Sequence, residues 1–340
     1  MEGLMTANKN FKRQVRTRAS KTGESYSTAL HHLRGGGVPN AAQTPLAIRI
    51  AVAQSRVPTD LTDSAGLRSA GVEIRQLMGE ARSAGVRLLH LCEGALCAPA
   101  KNVISRNPIE VAATDWDRCA WTILKDEITE IARLAAELKL WVVLGSVHRL
   151  TGGQRPHNSL FVISDRGHIV TRYDERMLSN TKLTYMYTPG SAPIAFDVDG
   201  VRFGCALGME AVFPEIFLEY ERLDVDCVLF STHGAGGPGG TDSNSGPFAL
   251  QSQAHAAANS YWVSYAGLTQ DAPNGPAGIV SPTGDWVARC GRDQSSALVV
   301  ADVGNSPENR ARPWRRTARG GIYDRYRARN DPRSDHRAGL

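Results

Sequence analysis

Apolar runs of five to eight residues recur along the chain, separated by stretches whose apolar positions repeat every three or four residues. Residues 48–54 (Ile48-Arg49-Ile50-Ala51-Val52-Ala53-Gln54) read as a buried first strand. Helical spacing covers residues 67–84 and stops at Gly85, and residues 86–91 form a second strand that ends at Cys92-Glu93. Residues 116–138 predict a long amphipathic helix with Ile123, Leu124, Ile128, Ile131, Leu134 and Ala135 on one face, and residues 141–146 a third strand. Three hairpins follow from turn chemistry: 157–163 with 168–173 around Asp165-Arg166-Gly167, 194–198 with 201–207 around Asp199-Gly200, and 278–282 with 286–288 around Thr283-Gly284-Asp285. A short helix over 215–220, a strand over 225–231, a helix over 248–259 and strands over 262–266 and 297–303 complete the pattern. Helix–strand alternation mixed with hairpins predicts an α/β protein with mixed sheets, and the strand count fits two sheets better than one. There is no internal repeat.

The two ends differ from this body. Residues 1–45 carry seven Lys/Arg and two acids, with two short helical patterns broken at Gly35-Gly36-Gly37, and read as a basic N-terminal extension and linker. Residues 306–340 carry ten Arg and four acids; 312–326 are expected to pack on the domain or a neighbouring subunit, and 327–340 to form a disordered Arg-rich tail. With a formal net charge of +5 for the whole chain, the body between these ends carries −6, so the basic character belongs to the ends. Basic helices are an electrostatic footprint for nucleic acid, which makes residues 1–45 a candidate contact, although no groove-reading motif is present. No run of about 18 apolar residues predicts a membrane span, and no apolar segment follows the basic N-terminus as a secretory signal requires. The six cysteines (92, 97, 119, 205, 227, 290) show no C-x-x-C pair or zinc-ligand spacing. A reduced, cytoplasmic protein without metal or cofactor is expected.

Several motifs occur in one order. The first strand ends in Ala53-Gln54 and the second in Glu93. Asn158-Ser159-Leu160 opens a hairpin closed by Gly167, Tyr187-Thr188-Pro189-Gly190 precedes the next strand, and Gly204 through Glu215 contains Phe213-Pro214-Glu215. Ala254 to Asn259, Pro282-Thr283-Gly284, and Arg312-Pro313-Trp314-Arg315-Arg316 with Tyr323 follow. Together these resemble the nitrilase (carbon–nitrogen hydrolase) superfamily over residues 46–326. The resemblance implies an αββα sandwich of two mixed sheets, association into homodimers or larger homo-oligomers, and cleavage of amide, nitrile or N-carbamyl C–N bonds by a Glu, a Lys and a Cys. There the thiolate attacks carbon, the Glu acts as general base and acid, and the Lys stabilises developing charge.

Carried over residue by residue, that triad matches in one place of three. Glu93 takes the position of the family Glu. The family Lys, two residues after Tyr173 and three before Leu178, is Glu175 here, and the family Cys, seven residues before Glu215, is Gly208. Glycine offers no nucleophile. Cys205 lies an odd number of residues from Gly208, so on a strand it faces the other way, about 10 Å distant, and reads as a core residue. Cys92 and Cys97 flank Glu93 and read as packing residues. Glu93 and Glu175 would place two carboxyls in one pocket, with Glu210 nearby, which pushes one pKa up. Relief would come from protonation, from a bound cation, or from Arg176 or Lys182. Lys182, seven residues past Glu175, is either a replacement charge or a solvated loop lysine. Glu210 and His233, which follows a strand at the expected pocket rim, are the candidate substrate-binding residues. His90 reads as a hydrogen-bonded core histidine.

Three functions stay open on these residues. The first is a member with a degenerate triad that binds a small amide-like ligand in a binding or regulatory role. The second is a C–N hydrolase in which Glu93 activates water directly. The third is a nucleic-acid-associated protein using its basic ends.

Overall fold

The computed structural model describes residues 12, 13, 15–17, 46–99, 104–107, 109, 114–233, 245–305 and 311–323. The chain divides into two compact units, residues 1–44 and 45–340. In the first, residues 12, 13 and 15–17 are helical. The rest of the basic extension, the Gly-rich stretch 234–244 and the tail 324–340 lie outside the described residues.

The second unit contains twelve strands in two six-stranded sheets. The first sheet runs β12-β1-β2-β3-β4-β5, from Ala297–Gly304 (β12), Ala47–Gln54 (β1), Leu88–His90 (β2), Trp141–His148 (β3), His157–Ile163 (β4) and Ile169–Asp174 (β5). The second runs β11-β10-β9-β8-β7-β6, from Trp286–Arg289 (β11), Gly278–Val280 (β10), Trp262–Ala266 (β9), Cys227–Ser231 (β8), Val201–Leu207 (β7) and Ala195–Val198 (β6). In each sheet a parallel centre meets antiparallel hairpins: β1, β2 and β3 are parallel, as are β7, β8 and β9, while β4–β5, β6–β7 and β10–β11 are antiparallel. These are the three hairpins that the turn residues predict.

Helices α1 (Ser64–Ser83) and α2 (Trp121–Leu138) pack with the first sheet, and α3 (Pro214–Arg222) and α4 (Ser245–Asn259) with the second, giving an αββα sandwich. The period-two alternation of strands sorts the layers. On β7 and β8, Phe203, Cys205, Leu207, Cys227 and Leu229 join the core shared with the first sheet. Their neighbours Ala206, Val228 and Phe230 instead meet Ile216, Phe217 and Tyr220 of α3 and Phe248, Ala249 and Ala256 of α4. Cys205 is therefore a core residue facing away from the helices, as the odd spacing requires.

The arginine-rich end forms α5 (Ala311–Tyr323), clamped to the second layer. Arg312 bonds to Asp224, Asp226 and the Val225 carbonyl, Arg316 to Glu221 and Asp224, and Arg315 to the Ala257 carbonyl and the Ser260 hydroxyl. These arginines are spent on carboxylates and carbonyls of their own unit. Among the described residues no helix is long and apolar enough to cross a membrane.

Candidate active site

Parallel strands present their carboxyl ends to one edge of a sheet, and side chains on the loops beyond those ends converge there. Glu93 follows β2 by three residues. Its loop lies directly across β3: Leu91 N donates to Val143 O (3.0 Å) and Leu96 N to Gly145 O (3.0 Å). Gly145 makes this crossing possible, because a Cβ there would stand 2.1 Å from Cys92 O and 2.5 Å from Gly94 N. His90, at the end of β2, ties this edge to the second sheet. Its Nε2 lies 2.7 Å from Ser231 Oγ on β8 and its Nδ1 2.9 Å from Ser264 Oγ on β9. The Ser231 hydroxyl donates to Leu91 O, so His90 Nε2 carries the proton and Nδ1 accepts from Ser264. Complete burial pushes His90 down to about 3, which keeps the ring neutral. The same tie sets the loop after β2 against the loop after β8, where His233 N donates to Glu93 Oε2 at 3.2 Å.

Glu175 follows β5 directly. Its N donates to Asn158 O on β4 (2.9 Å) and its carbonyl accepts from Gly190 N (2.9 Å), so the backbone leaves no choice of direction. Glu210 then pins this segment to the end of β7. Its carboxylate accepts from Leu207 N (2.8 Å), Arg176 N (2.7 Å), Met177 N (3.3 Å) and the Tyr173 hydroxyl (2.7 Å). With both oxygens taken by protein donors and no exposed surface, Glu210 has nothing to offer a ligand. That corrects the expectation of a substrate contact: its work is to bring the residue after Tyr173-Asp174 up to Gly208. Arg176 does not enter the pocket; its guanidinium bonds to Glu219 and to the Tyr173 hydroxyl.

Lys182 is no solvated loop lysine. It begins a single π-helical turn, Lys182–Met186, in which Tyr187 N donates to Lys182 O at 2.8 Å. The wide turn buries Lys182 and Met186 and turns Leu183 and Tyr185 outward. Lys182 Nζ donates to Glu93 Oε1 (2.6 Å) and to Glu175 Oε2 (2.8 Å) and Oε1 (3.1 Å). Asn158 Nδ2 bridges the same two carboxyls, at 2.8 Å from Glu93 Oε1 and 2.6 Å from Glu175 Oε2. The relative exposures of Glu93, Glu175 and Lys182 are 2%, 1% and 7%.

Gly208 completes the constellation. It closes β7 with φ +51° and opens the 3-10 turn Gly208–Val212. A Cβ on Gly208 would lie 3.0 Å from Glu175 Oε1, 3.1 Å from Glu93 Oε2 and 3.4 Å from Lys182 Nζ. The place where a side chain would start is thus ringed by both carboxyls and the ammonium. Asn158 is the member that the sequence reading leaves out, and Lys182 takes the replacement-charge role that was one of its two readings. Asn158 had a signal, the Asn-Ser-Leu opening of the hairpin, but nothing that marks its side chain for the pocket.

The charges settle unequally. Burial works to raise Glu93, but His233 and the Lys182 ammonium outweigh it and hold this carboxyl well below the usual range. Burial raises Glu175, the neighbouring Glu93 charge adds to it, and Lys182 offsets only part, so Glu175 is pushed up to about 7. Burial would lower Lys182, and the two carboxyls reverse that and hold the ammonium above its usual value. Near neutrality the site therefore contains one firm carboxylate, one firm ammonium and one carboxyl that gains and loses its proton.

No cysteine side chain stands at the Gly208 position. All six cysteines are buried and unpaired. Burial pushes Cys92, whose Sγ is 3.3 Å from Ser55 Oγ, up to about 12, and raises Cys97 and Cys205 as well. Among the described residues no group of three or more His, Cys, Asp or Glu is arranged to hold a metal ion.

Known proteins resemble this chain in sequence and in fold. Hydrolase Rv0480c and Hydrolase MT0498, from the H37Rv and CDC 1551 strains of Mycobacterium tuberculosis, are each 26% identical over 278 residues, covering 75% of this chain and 89% of theirs. A cysteine-to-alanine variant of the Nesterenkonia sp. AN1 amidase, from the nitrilase superfamily, shares the fold with a TM-score of 0.62 at 17% identity, over 82% of this chain and 97% of that one. A cysteine-to-alanine variant of the same amidase in complex with butyramide gives 0.63 at 18% identity, with the same coverage. Another variant of that amidase carries the acetamide moiety of fluoroacetamide covalently on its active-site cysteine. The family model described as carbon–nitrogen hydrolase matches residues 49–312, a span that contains Glu93, Asn158, Glu175, Lys182 and Gly208, and the chain belongs to that family.

Proposed function

We propose that this protein holds a small carboxamide-type molecule in front of Gly208 and forms no thioester with it. The observation that carries the reading is the Gly208 Cβ point, ringed at 3.0 to 3.4 Å by Glu175, Glu93 and Lys182. The polar groups that would grip an amide are in place, and the atom that would attack it is absent. An amide presents one acceptor and a donor pair, which a Lys N–H and a carboxyl oxygen complement. Family membership and the amidase neighbours support the ligand class.

The reading is tested with fluoroacetamide and butyramide. After incubation with fluoroacetamide the intact mass of the purified chain stays unchanged, and butyramide gives saturable binding by calorimetry that acrylamide competes away. A covalent adduct on any cysteine, or the absence of saturable binding, overturns it.

A further inference from the structure

We propose that Glu175 is a general base and acid for direct attack of water on a carboxamide held before Gly208, so that this site hydrolyses amides without a covalent intermediate. The inference rests on the reading that this space takes an amide, and goes beyond it by assigning a reaction.

The four carboxyl oxygens of the site are not equivalent. Glu93 Oε1 accepts from Lys182 and Asn158, and Glu93 Oε2 accepts from His233 N with His233 Nδ1 at 3.4 Å. Glu175 Oε2 accepts from Asn158 and Lys182. Among the described residues Glu175 Oε1 has only the longer 3.1 Å contact with Lys182 Nζ, and it is the atom nearest the Gly208 Cβ point. It is therefore the carboxyl oxygen of the site with the fewest hydrogen bonds, and it borders the Gly208 Cβ point. Glu93 Oε2 borders the same point, so the two oxygens stand no more than about 6 Å apart, a span that one bridging water covers with two hydrogen bonds. Lys182 directs its N–H groups at Glu93 Oε1, Glu175 Oε2 and, at the longer 3.1 Å, Glu175 Oε1; when Oε1 takes a proton, that last N–H would turn to an oxygen that develops negative charge.

The reaction balances with water as sole co-reactant. In the first step a water O–H bond breaks and its proton passes to Glu175 Oε1. The oxygen pair forms a C–O bond to the amide carbon, and the C=O π pair moves onto the amide oxygen beside Lys182. In the second step that pair re-forms C=O, the C–N bond breaks, and nitrogen takes the proton back from Glu175. The products are a carboxylic acid and ammonia or an amine, and Glu175 returns to its ionised form. A base poised near neutrality suits this exchange better than one held firmly ionised, and of the two carboxyls only Glu175 is pushed up to about 7. The groups that face it are Glu93 after β2, Asn158 on β4, Lys182 on the π-turn and Tyr187 just beyond it.

The competing account is that Glu175 only anchors Lys182. The full-length protein is assayed for ammonia release from butyramide and acrylamide between pH 5 and 9. The expected result is a kcat/KM that rises through one ionisation near pH 7 and does not respond to iodoacetamide. Glu175→Gln keeps an acceptor for Lys182; it is expected to lower kcat by about 10²–10⁴-fold with butyramide affinity retained within about threefold, and Glu175→Asp to recover part of the rate. An E175Q rate within tenfold of wild type overturns the proposal, as does butyramide binding without ammonia release or a pH profile lacking that ionisation. Should E175Q not fold, the profiles of wild type and Glu175→Asp decide, since a merely structural Glu175 leaves the inflection unmoved between them. Binding without turnover sinks only this inference, whereas failure to bind butyramide, or a cysteine adduct, sinks the reading beneath it.

Discussion

Replacing Lys182 by methionine tests the charge arrangement most directly. The ammonium contacts Glu93 at 2.6 Å and Glu175 at 2.8 Å in a site from which water is nearly excluded. At an effective dielectric of about 20 each contact is a gross attraction of roughly 6 kcal/mol. Most of that is offset by desolvation, and removing one partner of a buried pair typically costs about 3–5 kcal/mol, because the other charge is left unpaired. At about 2 °C per kcal/mol for a domain of this size, the melting temperature should fall by roughly 6–10 °C. Methionine fills similar volume, so a cavity adds little.

The loss should also depend on pH. In the variant Glu175 is buried without a counter-charge and Glu93 keeps only His233, so both carboxyls are pushed up and the Glu175 folded-state pKa lies further above the unfolded value. A raised carboxyl contributes stability that is complete below the unfolded pKa and disappears as pH rises through the folded one. The destabilisation relative to wild type should therefore be largest at pH 8 and smaller at pH 5. Calorimetric melts of wild type, Lys182→Met and the exposed control Lys125→Met at both pH values, in 0.15 M and 0.5 M salt, provide the measurement. Salt should change the Lys182 effect little, because buried pairs are weakly screened, and the control should stay within about 0.5 kcal/mol of wild type. A drop below 2 °C at pH 8, or one that is the same at pH 5, would refute the pairing of Lys182 with two buried carboxyls.

Glu175→Gln should change the stability–pH curve of the protein. With its pKa raised to about 7, Glu175 lends stability at pH 4.5 that is lost as pH climbs to 7, roughly 3 kcal/mol across that window, and urea titrations should show this slope in wild type and not in the variant. Gly208→Ala places a methyl group 3.0 and 3.1 Å from two carboxyl oxygens at φ +51°, so denaturant melts should show a loss of about 1–3 kcal/mol. His90→Leu strands the Ser264 hydroxyl and unties the two sheets at the pocket edge; the expected cost is about 2–4 kcal/mol, with faster amide exchange at Leu91 to Glu93 and at His233. Arg316→Ala with Arg319→Ala takes both arginines from Glu221, which is 2% exposed, and should cost about 3 kcal/mol by chemical denaturation while leaving butyramide binding unchanged.

Most of the architecture was legible because it is written in short-range pattern. The apolar runs mark the twelve strands, and the Asp-Arg-Gly, Asp-Gly and Thr-Gly-Asp turns mark the three hairpins. Glu93 and Gly208 were singled out through the resemblance alone, whose motif order places one after the second strand and the other seven residues before Glu215. The π-turn was not legible, since Lys182 to Met186 carries no capping signal and its burial comes from tertiary packing. Glu210 misled because a carboxylate near a pocket looks like a ligand contact until its four donors are seen. Three of those four are backbone N–H groups, which a sequence does not display. Asn158 and His90 are ordinary strand residues in one dimension, and only the pairing of β4 with β5 and of one sheet with the other gives them their partners.

Positions 175, 182 and 208 make sense as one set. A glutamate at 175 brings a second carboxyl to the buried site beside Glu93, which by itself would raise both pKa values and cost stability. Lys182 answers that by supplying an ammonium from the neighbouring π-turn, so one positive charge stands between the two carboxyls. The glutamate at 175 then reaches with Oε1 to within 3.0 Å of the Gly208 Cβ point, and any side chain at 208 has to displace it. Restoring a nucleophile at 208 alone therefore meets both the left-handed backbone and a carboxyl oxygen held by Asn158 and Lys182. It also places a thiol beside two carboxyls, which favour its protonated form.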